Sequence, residues 1–183
     1  MHKFNQKKYY FISEYDTNLV ANLNKSINII YRNYSKKIDI KKILELINFC
    51  KKKGNKFYIS NNLKLALNLK LDGVYLPSFN QSLKHLSYSL KKNFKIIGSA
   101  HSLKEIKIKE RQDVEQIFLS PLFKTKKSSK FLGIMKFNNL SKFTKKPLIA
   151  LGGINKNNIK QLKLINGEGF ASITYFKKKF QKV

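Results

Sequence analysis

The sequence is poor in acid. Ten aspartates and glutamates stand against 38 lysines and arginines, a formal charge of +28. It holds a single cysteine, Cys50, so no disulfide can form within the chain; that usage fits a reducing cytoplasm. No apolar run approaches the ~20 residues a membrane span requires, and Met1–Gln6 carries no apolar core of signal-peptide type. A soluble, cytoplasmic protein without a membrane partner is expected. No group of His, Cys, Asp and Glu has the spacing of a metal site. Asp39, Asp72 and Asp113 lie away from the ends of strand-like runs, and only Glu14 and Asp16 follow one.

Arginine is scarce as well, with only Arg32 and Arg111. Arginine is the side chain that best reads guanine edges and clamps phosphate in a fork. Lysine, asparagine and isoleucine are used heavily together along the whole chain, as AT-rich codons would produce. The excess charge therefore reads as a solvated lysine surface. Specific nucleic-acid recognition is not expected; a polyanion binder would instead show weak affinity that collapses with salt.

What is present is alternation. Eight short apolar runs recur: Tyr9–Ile12, Ile27–Tyr31, Lys56–Ile59, Gly73–Leu76, Phe94–Ile97, Gln116–Leu119, Pro147–Leu151 and Gly169–Ile173. Most are continuous rather than alternating, which suits strands buried on both faces. Helical segments lie between them. Ile40–Lys53 carries Ile40, Ile43, Leu44, Leu46, Ile47 and Cys50 largely on one stripe, and Gly54 stops it. Asn62–Lys70, Ser82–Lys91, Ser102–Lys109 and Asn157–Ile165 follow, with Ser82 a candidate cap and Ser102 and Glu105 at capping-box spacing. The segment after Asp16 is short and weakly periodic, so the first helix is the least well marked. No linker or composition break divides residues 1–183, so one α/β domain is expected. A doubly wound sheet would also alternate strands and helices, but eight units favour a compact (β/α)8 TIM barrel, trimmed below the ~200 residues usual at the small end of that fold.

Chemistry in such a barrel sits on the loops after the strands. Gly152-Gly153 follows the seventh run, where two glycines let a ligand approach the backbone; alone, the pair would read as a tight turn. Ile173-Thr174 ends the eighth run, and phosphate commonly binds between these two loops. Ser120–Lys130, with Thr125 and four lysines including Lys127 and Lys130, follows the sixth run and reads equally as a lid over an anion or as a solvated loop. Gly98-Ser99-Ala100-His101-Ser102 follows the fifth. Ser99 offers a donor to a substrate, and His101 is either a cap or a general acid–base near neutral pH. His85 and His2 read as structural or incidental.

These segments, in this order and spacing, resemble the thiamine phosphate synthase/TenI family. The resemblance covers residues 27–176 and rests on Phe57–Ala66, Asp72–Leu76, Gly98–Ser102, Ser120–Thr125, Ala150–Ile154 and Gly167–Ala171. It implies the barrel fold, a role in thiamine biosynthesis and a thiazole phosphate as small-molecule partner. On that resemblance Thr125, Gly153, Ile173 and Thr174 fall on the thiazole-phosphate side, Ser99 on a pyrimidine contact, and His101 on the proton-transfer histidine of the TenI branch. The synthase branch joins a pyrimidine diphosphate to the thiazole phosphate with Mg²⁺, and that half of the pattern is eroded. Of its Gln-x-Arg-x-Lys only Arg32 stands, in Ile30–Tyr34. Its metal aspartates fall on Asn61 and Asn80, the Asn before the first falls on Ser60, and the lysine of its Thr-x-Thr-Lys loop falls on Ser128, with Lys127 or Lys130 nearby. No metal ligand is expected, and Mg²⁺ only if synthase activity is retained. The pattern leans to a thiazole tautomerase, with a divergent synthase and a non-catalytic phosphate binder as alternatives. A homo-oligomer is left open.

Overall fold

The computed structural model describes residues 7–14, 20–34, 39–126 and 128–180; Asp16, Lys127 and His2 lie outside them. Eight parallel strands close into a barrel in sequence order. They are β1 (Lys7–Ile12), β2 (Ile27–Tyr31), β3 (Phe57–Ser60), β4 (Gly73–Leu76), β5 (Lys95–Ala100), β6 (Gln116–Leu119), β7 (Leu148–Leu151) and β8 (Gly169–Ser172). β8 returns to β1 through the pairs Lys7↔Gly169 to Tyr10↔Ser172. All eight apolar runs of the sequence are strands, with ends shifted by a few residues at most.

The strand interior is aromatic. Tyr9, Phe11, Tyr58, Tyr75 and Phe118 fill the ring with Ile30, Ile97, Ile149 and Ala171. Phe118 is the hub: its ring meets Tyr9 at 4.8 Å, Tyr75 at 5.5 Å and Phe11 at 6.2 Å, all edge to face. Such pairs add to the burial of the rings themselves. The phenols need partners, and Tyr9 donates to Gln116 Oε1 at 2.6 Å. The outward side chains of the same strands form a second core with the helices.

The helices are α1 (Ile40–Lys53), α2 (Leu63–Asn68), α3 (Leu103–Arg111), α4 (Gly133–Ser141) and α5 (Thr174–Phe180). α1 behaves as its stripe requires: Ile43, Leu46, Ile47 and Cys50 are buried, Asp39 caps its start and Gly54 is left-handed at its end. Leu44 and Ile40 lie at the margin and are exposed. Two expected helices are corrected. Ser82–Lys91 holds only a 3-10 turn at Lys84–Ser87, and Asn157–Ile165 only a 3-10 turn at Ile159–Leu164. In the first, Ser82 Oγ accepts from Lys84 N–H, a bond local to a tight turn. His85 is accordingly not on a helix; it is buried and its Nε2 meets Gln112 O at 2.7 Å.

A buried lysine ties α3 to the segment after β4. Lys109 is fully buried, and its ammonium donates to Pro77 O at 2.9 Å, Asn80 O at 2.8 Å and Gln112 Oε1 at 2.7 Å. Gly98 on β5 makes the room: a Cβ there would stand 2.8 Å from Lys109 Cδ. Burial pushes the ammonium down to about 8, against a smaller opposing pull from Glu105.

Two outcomes follow from this packing. Phe118→Ala should cost about 3–5 kcal/mol, the range for emptying an aromatic site in a core, read as the change in urea unfolding free energy. For Lys109 the folded pKa lies below the unfolded one, so between pH 8 and 10.5 the unfolded chain binds the extra proton and stability rises with pH. The stability of the protein relative to its Lys109→Met variant should therefore increase from pH 8 to pH 10; a difference that stays flat would show that the ammonium titrates normally.

Candidate functional site

Parallel closure brings every strand's C-terminal end to one rim. The register holds these ends level: Ala100 pairs with Leu119, Leu119 with Ala150, and Leu151 with Ala171. Ser99, His101, Thr125, Gly152, Gly153, Ile173, Thr174 and Arg32 therefore all stand on or just below the same rim. A larger groove of about 360 Å³ lies at the opposite end, lined by Pro147, Leu148 and Gly167 among others. It is remote from all of these residues.

On the β5 side, His101 is exposed and held by α3. Glu105 Oε2 accepts the backbone N–H of His101 at 2.7 Å and meets its ring Nδ1 at 2.9 Å. Ser102 Oγ in turn accepts from Glu105 N–H at 3.3 Å. This is a capping box whose acid reaches one residue further back, to the histidine. With Nδ1 engaged by a carboxylate, the ring is oriented and Nε2 is the nitrogen presented outward. His101 is thus both next to a cap and in a position to move a proton. Ser99 sits deeper. It is 4% exposed and lies inside the barrel near the Tyr75 phenol.

The β6–β8 side is built by packing of one loop on another. Gly152 and Gly153 have φ of 95° and 72°. A Cβ on Gly152 would stand 2.7 Å from Pro121, and one on Gly153 2.5 Å from Phe123 O. The glycines are therefore demanded by the β6 loop itself, whose Leu122 and Phe123 amides donate to Leu151 O and Gly152 O. That loop is anchored at its base by Leu132 N–H to Pro121 O and Gly133 N–H to Leu122 O. At its tip Thr125 pairs with Ser128: Thr125 N–H donates to Ser128 O, and Ser128 N–H to Thr125 Oγ1 at 3.1 Å. The segment is thus a stapled turn carrying exposed Lys124, Lys126 and Lys130. Ile173 and Thr174 are exposed at the start of α5.

On the β2–β4 side the polar groups face one another. Tyr34 Oη and Ser60 Oγ lie 2.7 Å apart, and Asn80 Nδ2 donates to Asn61 Oδ1 at 2.6 Å. Asn61 has φ 58°, a left-handed turn that asparagine tolerates. The Arg32 guanidinium lies 4.8 Å over the Phe11 ring, and the Tyr34 ring meets Phe79 edge to face. A cleft of about 250 Å³ opens beside Asn61, Leu76, Asn80, His85 and Tyr88. Among the described residues no group of three or more His, Cys, Asp or Glu could hold a metal. An asparagine pair already bonded to itself does not fit Mg²⁺, which takes carboxylate and water oxygens.

A family profile described as thiamine monophosphate synthase matches residues 17–176. The chain belongs to this family. A thiamine-phosphate synthase of Prochlorococcus marinus is 36% identical over 122 residues, covering 65% of this chain and 35% of that protein. One of Helicobacter pylori is 32% identical over 135 residues, covering 71% of this chain and 62% of that protein. The chain thus spans between about a third and under two thirds of the length of these relatives. Thiamine phosphate pyrophosphorylase from Pyrococcus furiosus superposes with a TM-score of 0.69 at 21% identity, covering 93% of this chain and 87% of that one; at that identity the likeness is one of fold. Among the described residues no helix is long and apolar enough to cross a membrane.

Sequence reasoning placed the rim residues but not their partners. Glu105 carried a signal, four residues after His101 and three after Ser102, yet reads there only as half of a cap. Lys109 carried none, because one lysine among many shows nothing of burial.

If Glu105 sets the His101 ring, Glu105→Gln should change the ring environment more than the fold. The expected result is a shifted His101 Nδ1/Nε2 tautomer signature in ¹⁵N NMR with an unfolding free energy within about 1 kcal/mol of the parent, the usual scale for an exposed pair.

Proposed function

We propose that this chain is an enzyme of thiamine biosynthesis that acts on a thiazole phosphate, and that its chemistry is the tautomerase reaction of the TenI branch. The observation that carries this reading is the contrast across the rim. The β5 side offers an imidazole oriented by a carboxylate, while on the β2–β4 side Tyr34 with Ser60 and Asn61 with Asn80 are neutral pairs bonded to each other, with no carboxylate among them.

The reaction asks for one proton shuttle and an anchor. A proton leaves one carbon of the thiazole carboxylate phosphate and a proton is delivered to another, so the ring becomes aromatic with no change in composition. His101 Nε2 would take and return that proton, with Glu105 on Nδ1 holding the ring in orientation. Thr125, Gly153, Ile173 and Thr174, with Gly152 behind them, would hold the phosphate, and Lys130 would supply positive field over it. Ser99, buried at the top of the barrel interior, would form the floor. Arg32 stands on the far wall over Phe11, where it would meet a second acidic group of the substrate.

A synthase reading is favoured by one observation: the relatives are named thiamine-phosphate synthase. It would require Mg²⁺ and a pyrimidine diphosphate at the eroded wall.

The deciding assay is turnover of thiazole carboxylate phosphate, followed by ultraviolet absorbance and product analysis, with and without pyrimidine diphosphate and Mg²⁺. Aromatisation without either addition is expected, and His101→Ala should lower kcat by about 10²–10⁴, the range for a general acid–base group. Thiamine phosphate formed only with both additions would replace this reading with the synthase. Tight binding of the phosphate with neither product would make the chain a non-catalytic binder.

A further inference from the structure

The oxygens of the β2–β4 wall are already engaged with one another or with the loop behind them. An asparagine ligates a cation only through its carboxamide oxygen. Asn61 Oδ1 accepts from Asn80 Nδ2 at 2.6 Å. Asn80 Oδ1 accepts from Ser82 N–H at 2.9 Å and from Gln112 Nε2 at 3.3 Å. Ser60 Oγ is paired with Tyr34 Oη at 2.7 Å. A cation entering here would compete with two donors for Asn80 Oδ1, disturb the Asn61–Asn80 contact, and meet only neutral oxygens from Asn61, Asn80, Ser60 and Tyr34.

The wall is also backed by a fixed charge. Lys109 Nζ donates to the main-chain oxygen of Asn80 at 2.8 Å, and Gln112 Nε2 donates to the same oxygen at 3.1 Å. Through Lys109 and Gln112, α3 thus sets both the backbone and the side chain of Asn80. A dication at that side chain would sit beside a buried ammonium, where screening by water is weakest. The same contacts explain why Asn80 points its Nδ2 at Asn61: Gln112 and Ser82 present donors, so the carboxamide turns its oxygen to them.

We propose that the β2–β4 wall is a metal-free closure of the site, in which the Tyr34–Ser60 and Asn61–Asn80 pairs stand where a metal-bound diphosphate would otherwise lie, so that the only phosphate of the ligand is the one held at the β6–β8 loops. The inference rests on the rim being the ligand site, as in the proposed function, and is independent of the role of His101. It carries a constructive consequence. N61D/N80D would set two carboxylates at the present amide contact, where they cannot both ionise without a cation between them. The carboxylate introduced by N80D would keep the Ser82 and Gln112 donors that Asn80 Oδ1 now accepts, so the loop has reason to stay in place.

The test is titration of Mn²⁺ into the whole protein, without substrate, following the loss of the free-ion EPR signal. The parent should leave the signal unchanged, and N61D/N80D should bind one ion per chain at least about tenfold more tightly, a gain of ~1.4 kcal/mol. Circular dichroism confirms that the variant folds; if it does not, N61D alone is read in its place with the same expected direction. Stoichiometric Mn²⁺ binding by the parent that is lost in Asn61→Ala and Asn80→Ala would overturn the proposal. A folded N61D/N80D that gains no Mn²⁺ would overturn the assignment of these two residues as the determinant. The thiazole assay fails or succeeds separately: a silent parent in the Mn²⁺ titration without thiazole turnover sinks only the catalytic reading, and Mn²⁺ binding with metal-free turnover sinks only this one.

Discussion

A ring of eight parallel strands closes only if its inside is filled, and here five aromatic side chains do most of the filling. Tyr9, Phe11, Tyr75 and Phe118 interlock edge to face, with Phe118 touching the other three, and Tyr58 tilts against Tyr9. Everything at the rim inherits its position from this plug. The register that levels Ala100, Leu119, Ala150 and Leu151 is the register in which the rings fit. Ser99 lies buried near the Tyr75 phenol, and Arg32 rests on the face of Phe11. Floor and wall of the site are thus the top of the core.

Economy of length shapes the rest. Two of the connections that complete the barrel are single 3-10 turns, which bury little. The β4–β5 connection is instead stapled by polar contacts: Lys109 to two carbonyls, Gln112 to Asn80 and Ser82, and His85 to Gln112. Such contacts fix direction more sharply than apolar packing, because a buried donor or acceptor left unpaired is costly. The loop bearing Asn80 is accordingly held in orientation as well as in place.

The strands were legible because burial on both faces writes continuous apolar runs, and α1 because a 14-residue stripe outlasts local noise. Ser82–Lys91 misleads for a physical reason. Its leucines have helical spacing, yet Leu83 and Leu86 stay exposed while His85 turns inward. Spacing predicts a face but not which face is buried. Asn157–Ile165 fails likewise, since Asn155 and Asn158 fold their side chains back onto Gly153 O and so favour a tight turn. The rim residues were legible through the order of motifs. Their pairings were not, because Tyr34–Ser60 and Asn61–Asn80 join segments that lie 26 and 19 residues apart.

Cys50 gives the barrel an internal clock. Its thiol is fully buried on the inner face of α1, and burial pushes it up to about 12, so the reactive thiolate is nearly absent in the closed protein. With no other sulfhydryl in the chain, alkylation can proceed only as α1 lifts from the strands. The rate at which a small electrophile marks this one atom is therefore a measure of how often the helix layer opens, one event at a time, with no background from the surface.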